Sequence, residues 1–256
     1  MRAAPLPLLI PGNMCDARLW DGAGGAIRKA LTATTGRAPI DADTTQDDTI
    51  AAMAARALAA ADGPLVPIGF SMGAIIAAEM AVQAPGRIAA MGLIGYNAAA
   101  DLPERAAHRP VQQAEVRSGG LERVLVEELK PNYLAAANRG NAALLGLLRN
   151  MGMALGPDVF IRQSEALRLR QDRVSALSGI TCPVFLMGGS EDALCPPEWH
   201  RRWHGLLSQS QLFIEPAGHM VPLEAPVALA EKLAAWLAIP DADHREERKS
   251  PCPTAS

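Results

Sequence analysis

The chain has 256 residues, of which 49% are hydrophobic and 20% charged, with a formal net charge of −3, as in an ordinary globular protein. Because the charge is small and unclustered, neither nucleic acid nor an anionic membrane surface is favoured as a partner. The N-terminal apolar run is broken by prolines, and no run of about 18 uninterrupted apolar residues marks a membrane-spanning helix. We therefore expect a cytoplasmic protein.

Short apolar segments alternate along the chain with longer segments of helical spacing. The apolar segments predict strands at LPLLI, PLVPIGF, IAAMGLIGY, PVFLMG and QLFIEP, with a further short edge strand in GRAPIDAD. The helical spacing predicts helices at Ala17 to Thr32, Thr49 to Ala61, Met72 to Ala84, Pro197 to Leu207 and Pro226 to Ala238. This alternation predicts the α/β class, with a mostly parallel sheet covered by helices on both faces.

The alternation of predicted strands and helices stops between about Ala98 and Ser178. No strand is predicted there, and Arg, Glu, Leu and Ala recur at helical spacing. We interpret residues 98–178 as a helical insertion into a core formed by residues 1–97 and 179–239. The remaining residues, 240–256, are polar and rich in charge and proline, which predicts a disordered tail.

The segment IGFSMGA places Ser71 between Gly69 and Gly73, after a predicted strand and before a predicted helix. A turn this tight leaves no room for neighbouring side chains, and glycines on either side remove the collisions. The pattern is the G-x-S-x-G nucleophile elbow, which holds a serine hydroxyl clear of the sheet. Pro67 lies inside the strand and deletes one ladder donor, which permits a bulge.

A serine nucleophile needs a base within hydrogen-bond reach, and the chain contains five histidines. His219 is favoured because the segment AGHMVPLEAP follows the last strand and precedes the last helix. Loops at the carboxyl ends of parallel strands are where such sheets present their active sites. The other four are His108 in the insertion, His200 and His204 on a Trp-rich helix, and His244 in the tail.

The group that orients the histidine is expected in the loop GGSEDALCPP, after the strand that precedes it in the chain. This loop carries Glu191 and Asp192, and either carboxylate can serve. Both can instead act only as caps of the following helix. The order Ser71, acid, His219 is the chain order of the hydrolase triad in which the serine comes first.

These three segments together resemble the alpha/beta-hydrolase superfamily, especially small bacterial esterases of the enol-lactonase and pimeloyl-carrier-protein methyl ester esterase type. The resemblance favours Asp192 as the acid and implies a helical cap after the sixth strand of the full fold. It also implies that the first two strands are absent or reduced here. The segment LLIPGNMCDARLWD resembles the family's oxyanion loop, so the backbone N–H groups of Asn13 and Met72 are the implied oxyanion donors. Family members often carry His-Gly where this chain has Pro11-Gly12.

The residues predict a serine hydrolase that cleaves an ester, lactone or thioester through an acyl-enzyme, with no cofactor and no metal. Hydrolysis of a C–C bond in diketones and perhydrolysis remain alternatives on the same residues, and a non-catalytic ligand-binding protein is an alternative of another class. The four cysteines lie far apart, without metal-ligand spacing, and are expected to be free thiols.

The insertion is expected to set the substrate. The segment AALLGLLRNMGMAL carries more Leu and Met than one packing face requires, so it either lines an apolar pocket or packs in the core. Several arginines of the insertion either lie on solvated faces or bind a carboxylate-bearing or carrier-linked acyl substrate. They include Arg105, Arg109, Arg139, Arg149 and Arg162.

Overall fold

The computed structural model describes residues 4–129 and 133–239, so the tail predicted to be disordered lies outside the described residues. Within the described residues, six strands form one parallel sheet in the order β2-β1-β3-β4-β5-β6. The strands are β1 Leu6–Ile10, β2 Ile40–Asp41, β3 Leu65–Phe70, β4 Met91–Ile94, β5 Val184–Gly189 and β6 Ser210–Glu215. The predicted α/β class with a parallel sheet is confirmed, and the short segment in GRAPIDAD lies at the sheet edge as expected.

The helices of the core are α1 Gly22–Thr35, α2 Ile50–Ala59, α3 Met72–Gln83, α7 Pro197–Leu206, α8 Val221–Glu224 and α9 Pro226–Leu237. They cover both faces of the sheet, because alternate strand residues point to opposite sides. In β1, Leu8 and Ile10 pack into one hydrophobic core with α2 and α3, while Leu9 packs into another with α1 and α9.

The first helix of the structure differs from the helix predicted at Ala17 to Thr32. A 3₁₀ turn at Ala17–Trp20 precedes α1, and Ala23, Gly24 and Gly25 near the start of α1 have positive φ between 49° and 76°. Glycine adopts these angles without a steric penalty, so the chain bends here instead of continuing a regular helix. By contrast, β1 and β3 pair without interruption from Leu6↔Leu65 to Ile10↔Gly69, so Pro67 causes no bulge.

Helices fill the chain between β4 and β5, and the described part of this insertion contains no strand. Its helices are α4 Pro103–Arg117, α5 Leu121–Arg123, which continues as a π-helix at Val124–Leu129, and α6 Ala142–Arg168. Non-helical angles at Gly156 (φ 81°, ψ 177°), followed by Pro157, interrupt α6. Among the described helices, α6 alone meets the length and composition of a membrane span. The division of the chain at residues 98 and 178 stays a prediction.

Candidate active site

Ser71 lies on a strained turn between β3 and α3. Its backbone angles are φ 53° and ψ −114°, a combination that residues other than glycine rarely adopt, and its N–H donates to the Ile94 carbonyl at 2.8 Å. A side chain on Gly69 would overlap the backbone of Gly73, and one on Gly73 would overlap the carbonyl of Ile10. The two glycines are therefore required by close backbone packing at this turn.

His219 lies in the loop between β6 and α8, beside the acid loop that follows β5. Its Nδ1 lies 2.8 Å from Oδ2 of Asp192, and each residue is only 3% exposed. The His219 ring contacts Phe70, with 5.0 Å between ring centroids, and Tyr133, with 5.9 Å. Carboxylate and aromatic neighbours thus fix the imidazole on three sides.

Asp192, and not Glu191, is the carboxylate next to His219. Its second oxygen, Oδ1, accepts hydrogen bonds from the N–H groups of Leu194 and Cys195, both at 2.8 Å. Burial raises the pKa of Asp192, but attraction to His219 and these hydrogen bonds outweigh burial, so its pKa lies below the ordinary value. Glu191 points away and accepts from the N–H of Ala136 at 2.8 Å.

Ser71 and His219 both line a cavity of about 410 Å³, a size typical of small-molecule sites. Asn13 also lines this cavity, in the loop of residues 11–16 that follows β1 and is called here the β1 loop. Met72 is the first residue of α3, so its N–H has no acceptor within the helix and lies beside Ser71. The two implied backbone donors are therefore at or next to the cavity that contains the serine.

Gln163 of α6 holds the β1 loop in place, which sequence reasoning did not foresee. Its Oε1 accepts from the N–H of Met14 at 2.8 Å and from Nδ2 of Asn13 at 3.2 Å. Its Nε2 donates to the carbonyl of Thr44 at 3.1 Å, and the side chain is fully buried. Through Gln163 the insertion thus braces the β1 loop, in which Pro11 has no hydrogen-bonding side chain. A lone glutamine in a helix gives no sequence signal of this role.

His200 is buried and connects two loops at the carboxyl edge of the sheet. The N–H of Tyr96 donates to its Nε2 at 3.2 Å, and its Nδ1 lies 3.3 Å from the carbonyl of Pro196. With Nε2 accepting, Nδ1 carries the proton and donates, so the ring is neutral. Burial lowers the pKa of His200, which agrees with that assignment.

One cluster among the described residues could hold a metal ion. Asp192, Cys195 and His219 each offer a ligand atom, and these atoms lie within 4.8 Å of one another. A metal here would compete with the hydrogen bond between Asp192 and His219, and burial raises the pKa of the Cys195 thiol, which disfavours the thiolate ligand. The described cysteines, Cys15, Cys182 and Cys195, form no disulfide with one another.

The insertion contributes a polar side to the cavity. No residue of the apolar segment 142–155 lines it, and Leu148 and Met151 of that segment instead pack in the core beneath. Of the five arginines singled out in the sequence, Arg105 and Arg109 line the cavity. The others do not, and Arg149, for example, pairs with Glu122 on the surface.

The profile of the Alpha/beta hydrolase family matches residues 8–232. A thermophilic esterase from Thermogutta terrifontis, solved with malate bound, is similar in structure with a TM-score of 0.79 and 24% identity, over 92% of this chain and 90% of the esterase. An enol-lactonase from Burkholderia xenovorans LB400 is similar with a TM-score of 0.78 and 18% identity, over 93% of this chain and 92% of the lactonase. No curated protein shows significant sequence similarity to the chain.

Proposed function

The chain belongs to the alpha/beta hydrolase family, and on that premise we propose that it is a serine hydrolase that cleaves a carboxylic ester or a related acyl bond. Ser71 is the nucleophile, His219 the general base and Asp192 the residue that orients it. The observation that carries the proposal is the buried 2.8 Å contact between His219 and Asp192, at the cavity that Ser71 lines.

The proton positions follow from the acid. With its pKa lowered, Asp192 is ionised near neutral pH and can only accept, so Nδ1 of His219 carries the proton. Nε2 is then left as the base. It takes the proton of Ser71 as the hydroxyl oxygen attacks the carbonyl carbon, and it later gives that proton to the leaving group. Water then repeats the sequence on the acyl-enzyme and releases the acid.

The negative charge on the carbonyl oxygen requires donors fixed before the reaction. The N–H groups of Asn13 and Met72 are proposed for this role, and the N-terminal end of α3 adds a favourable field. A donor of this kind is worth about 3 kcal/mol in the transition state when it is correctly placed. The support that Gln163 gives to the β1 loop therefore bears directly on the rate.

Covalent labelling tests the proposal, because a fluorophosphonate reacts only with an activated serine. The wild type is expected to be labelled at Ser71 and to hydrolyse one or more 4-nitrophenyl esters in the series from acetate to dodecanoate. Ser71→Ala should lose labelling and at least about 10⁴-fold in kcat. The control is Ser118→Ala, at an exposed serine, which should behave as the wild type.

The outcomes separate the alternatives. Labelling without turnover would retain the activated serine and direct the search to thioesters, lactones and diketones. A protein that is neither labelled nor active would contradict the proposal and favour a ligand-binding role.

A further inference from the structure

One helix, α4, contributes several polar residues to the cavity lining. Five residues of α4 line the cavity at helical spacing, so that one face of this helix points into it. They are Glu104, Arg105, His108, Arg109 and Gln112. Beside Ser71 the lining includes the apolar side chains of Phe70 and Ile75. The cavity thus offers apolar contacts near the serine and a polar part under α4.

The polar part holds more positive charge than its buried acid neutralises. Asp101, whose side chain is 1% exposed, accepts from Nε of Arg109 at 2.6 Å and from Nη1 of Arg170 at 2.9 Å. One carboxylate therefore faces two guanidinium groups. Arg170 is satisfied further by the carbonyls of Ala99 and Ala100. The two Nη groups of Arg109 make no hydrogen bond to another described residue.

Arg105 is a cation of the cavity lining that has no side-chain partner among the described residues. It lies one helical turn before Arg109, is half-buried, and makes no hydrogen bond or ion pair with another described residue. Burial raises the pKa values of Tyr133 and Cys195, and the charge of Arg105 acts in the opposite direction on both. Tyr133 and Cys195 line the same cavity as Arg105, so the charge of Arg105 acts inside that cavity.

The acids of the lining do not neutralise Arg105. Glu128 already accepts hydrogen bonds from Gln112 at 2.9 Å and from Arg123 at 2.8 Å. Glu104 is exposed and makes no ion pair with a described residue. Two like charges one turn apart on a helix repel each other, and an anion between them would remove that repulsion. A guanidinium binds a carboxylate through paired, charge-assisted hydrogen bonds.

We propose that Arg105 and Arg109 form a subsite for a carboxylate at the end of the acyl substrate remote from the scissile bond. The substrate class is then the half-esters of small dicarboxylic acids. This inference rests on the proposed serine hydrolase function, while the carboxylate subsite itself can be tested without any turnover.

The kinetic test compares two series of substrates that are matched in size. One set is the methyl half-esters of dicarboxylic acids from succinate to suberate, and the other is the same esters with a neutral primary amide in place of the free carboxylate. The wild type should favour the carboxylate at one chain length, and Arg105→Gln should lower kcat/KM for that half-ester about 10- to 100-fold. The amide substrate should change less than about threefold, since its polar end is uncharged.

Two further variants separate a specific contact from a change of net charge. Arg117→Gln removes the same charge from an exposed residue on the same helix, outside the cavity lining, and should leave the preference unchanged. Arg105→Lys keeps the charge and should retain part of the preference. Equal effects of Arg105→Gln and Arg117→Gln, or equal loss on both substrates, would overturn the subsite.

A binding experiment distinguishes failure of the subsite from failure of the hydrolase proposal. Calorimetry on Ser71→Ala should show that one member of the dicarboxylate series binds more tightly than its diamide. The added Arg105→Gln change should weaken that binding about tenfold or more. If no dicarboxylate binds better than its diamide, the subsite is wrong, whatever fluorophosphonate labelling shows. If binding behaves as expected and Ser71 is not labelled, the subsite stands and the hydrolase proposal fails.

Discussion

Replacing Gln163 with leucine tests whether the insertion holds the proposed oxyanion donors in place. The change keeps the approximate size of the side chain and removes its hydrogen bonds to Met14, Asn13 and Thr44. The N–H of Met14 and the carbonyl of Thr44 would then be left without these partners in a buried region. Each buried group left unsatisfied costs about 1–3 kcal/mol, so for the two groups we expect the free energy of unfolding to fall by about 2–6 kcal/mol.

The effect on the rate follows from the backbone at Met14. This residue has φ 52°, a left-handed angle that costs a non-glycine residue about 1–2 kcal/mol. A hydrogen bond contributes a similar net amount, about 0.5–1.5 kcal/mol, so without Gln163 the strained angle is no longer compensated. The β1 loop is then free to relax, and the N–H of Asn13 moves with it. Complete loss of an oxyanion donor costs about 10²- to 10³-fold in kcat, and displacement should cost about 10- to 100-fold.

The assay measures kcat and KM on the best 4-nitrophenyl ester, together with urea denaturation. Gln113→Leu is the matched control, because Gln113 is also buried and donates to Ser164 and Glu165 within the insertion. It should lose stability while kcat stays within about threefold, since it does not touch the β1 loop. If Gln163→Leu lost stability alone, or if both variants lowered kcat equally, the proposed support of the oxyanion loop would be refuted.

Asp192→Asn should lower kcat about 10³- to 10⁴-fold, because the amide does not hold His219 in the required tautomer, whereas Glu191→Gln should stay near the wild type in the same ester assay. Equal effects would refute the choice of acid. Gly73→Ala should abolish activity and lower soluble yield, because the added methyl overlaps the Ile10 carbonyl; an active, folded variant would contradict this. His200 has a folded pKa below its ordinary value of 6.5, so below that pH the unfolded chain binds more protons. The free energy of unfolding should therefore fall between pH 7.5 and 5.5, by at most about 1.4 kcal/mol per pH unit from this group, and His200→Gln should reduce that fall in urea titrations.

Local patterns predicted most of the fold. Strands buried on both faces read as short runs of Leu, Ile and Val, and β1 has the bounds of its run LPLLI. The start of α1 was predicted less well, because helical spacing continues through Ala23, Gly24 and Gly25 although their backbone angles are not helical. Periodicity records which residues are apolar, and it does not record where glycine lets the chain bend.

In the candidate site, too, features set by neighbouring residues could be predicted, whereas contacts between residues far apart in the sequence could not. Ser71 could be predicted because the steric requirement for Gly69 and Gly73 lies within five residues of sequence. The residues alone left Glu191 open beside Asp192, and only the folded chain shows that Asp192 contacts His219 while Glu191 points elsewhere. The hydrogen bond from Met14 to Gln163 joins residues 149 positions apart, and no sequence spacing predicts it.

The insertion therefore does more than cover the cavity. Through Gln163 it fixes the loop that carries one proposed oxyanion donor, and through α4 it places Arg105 in the cavity lining. Met14 also packs in the hydrophobic core of the insertion, with Val116 and Phe160. The proposed substrate recognition and the proposed transition-state stabilisation thus both depend on residues of the insertion. A change that loosens α6 from the β1 loop should lower kcat even for neutral esters, whereas a change confined to Arg105 should act only on acidic ones.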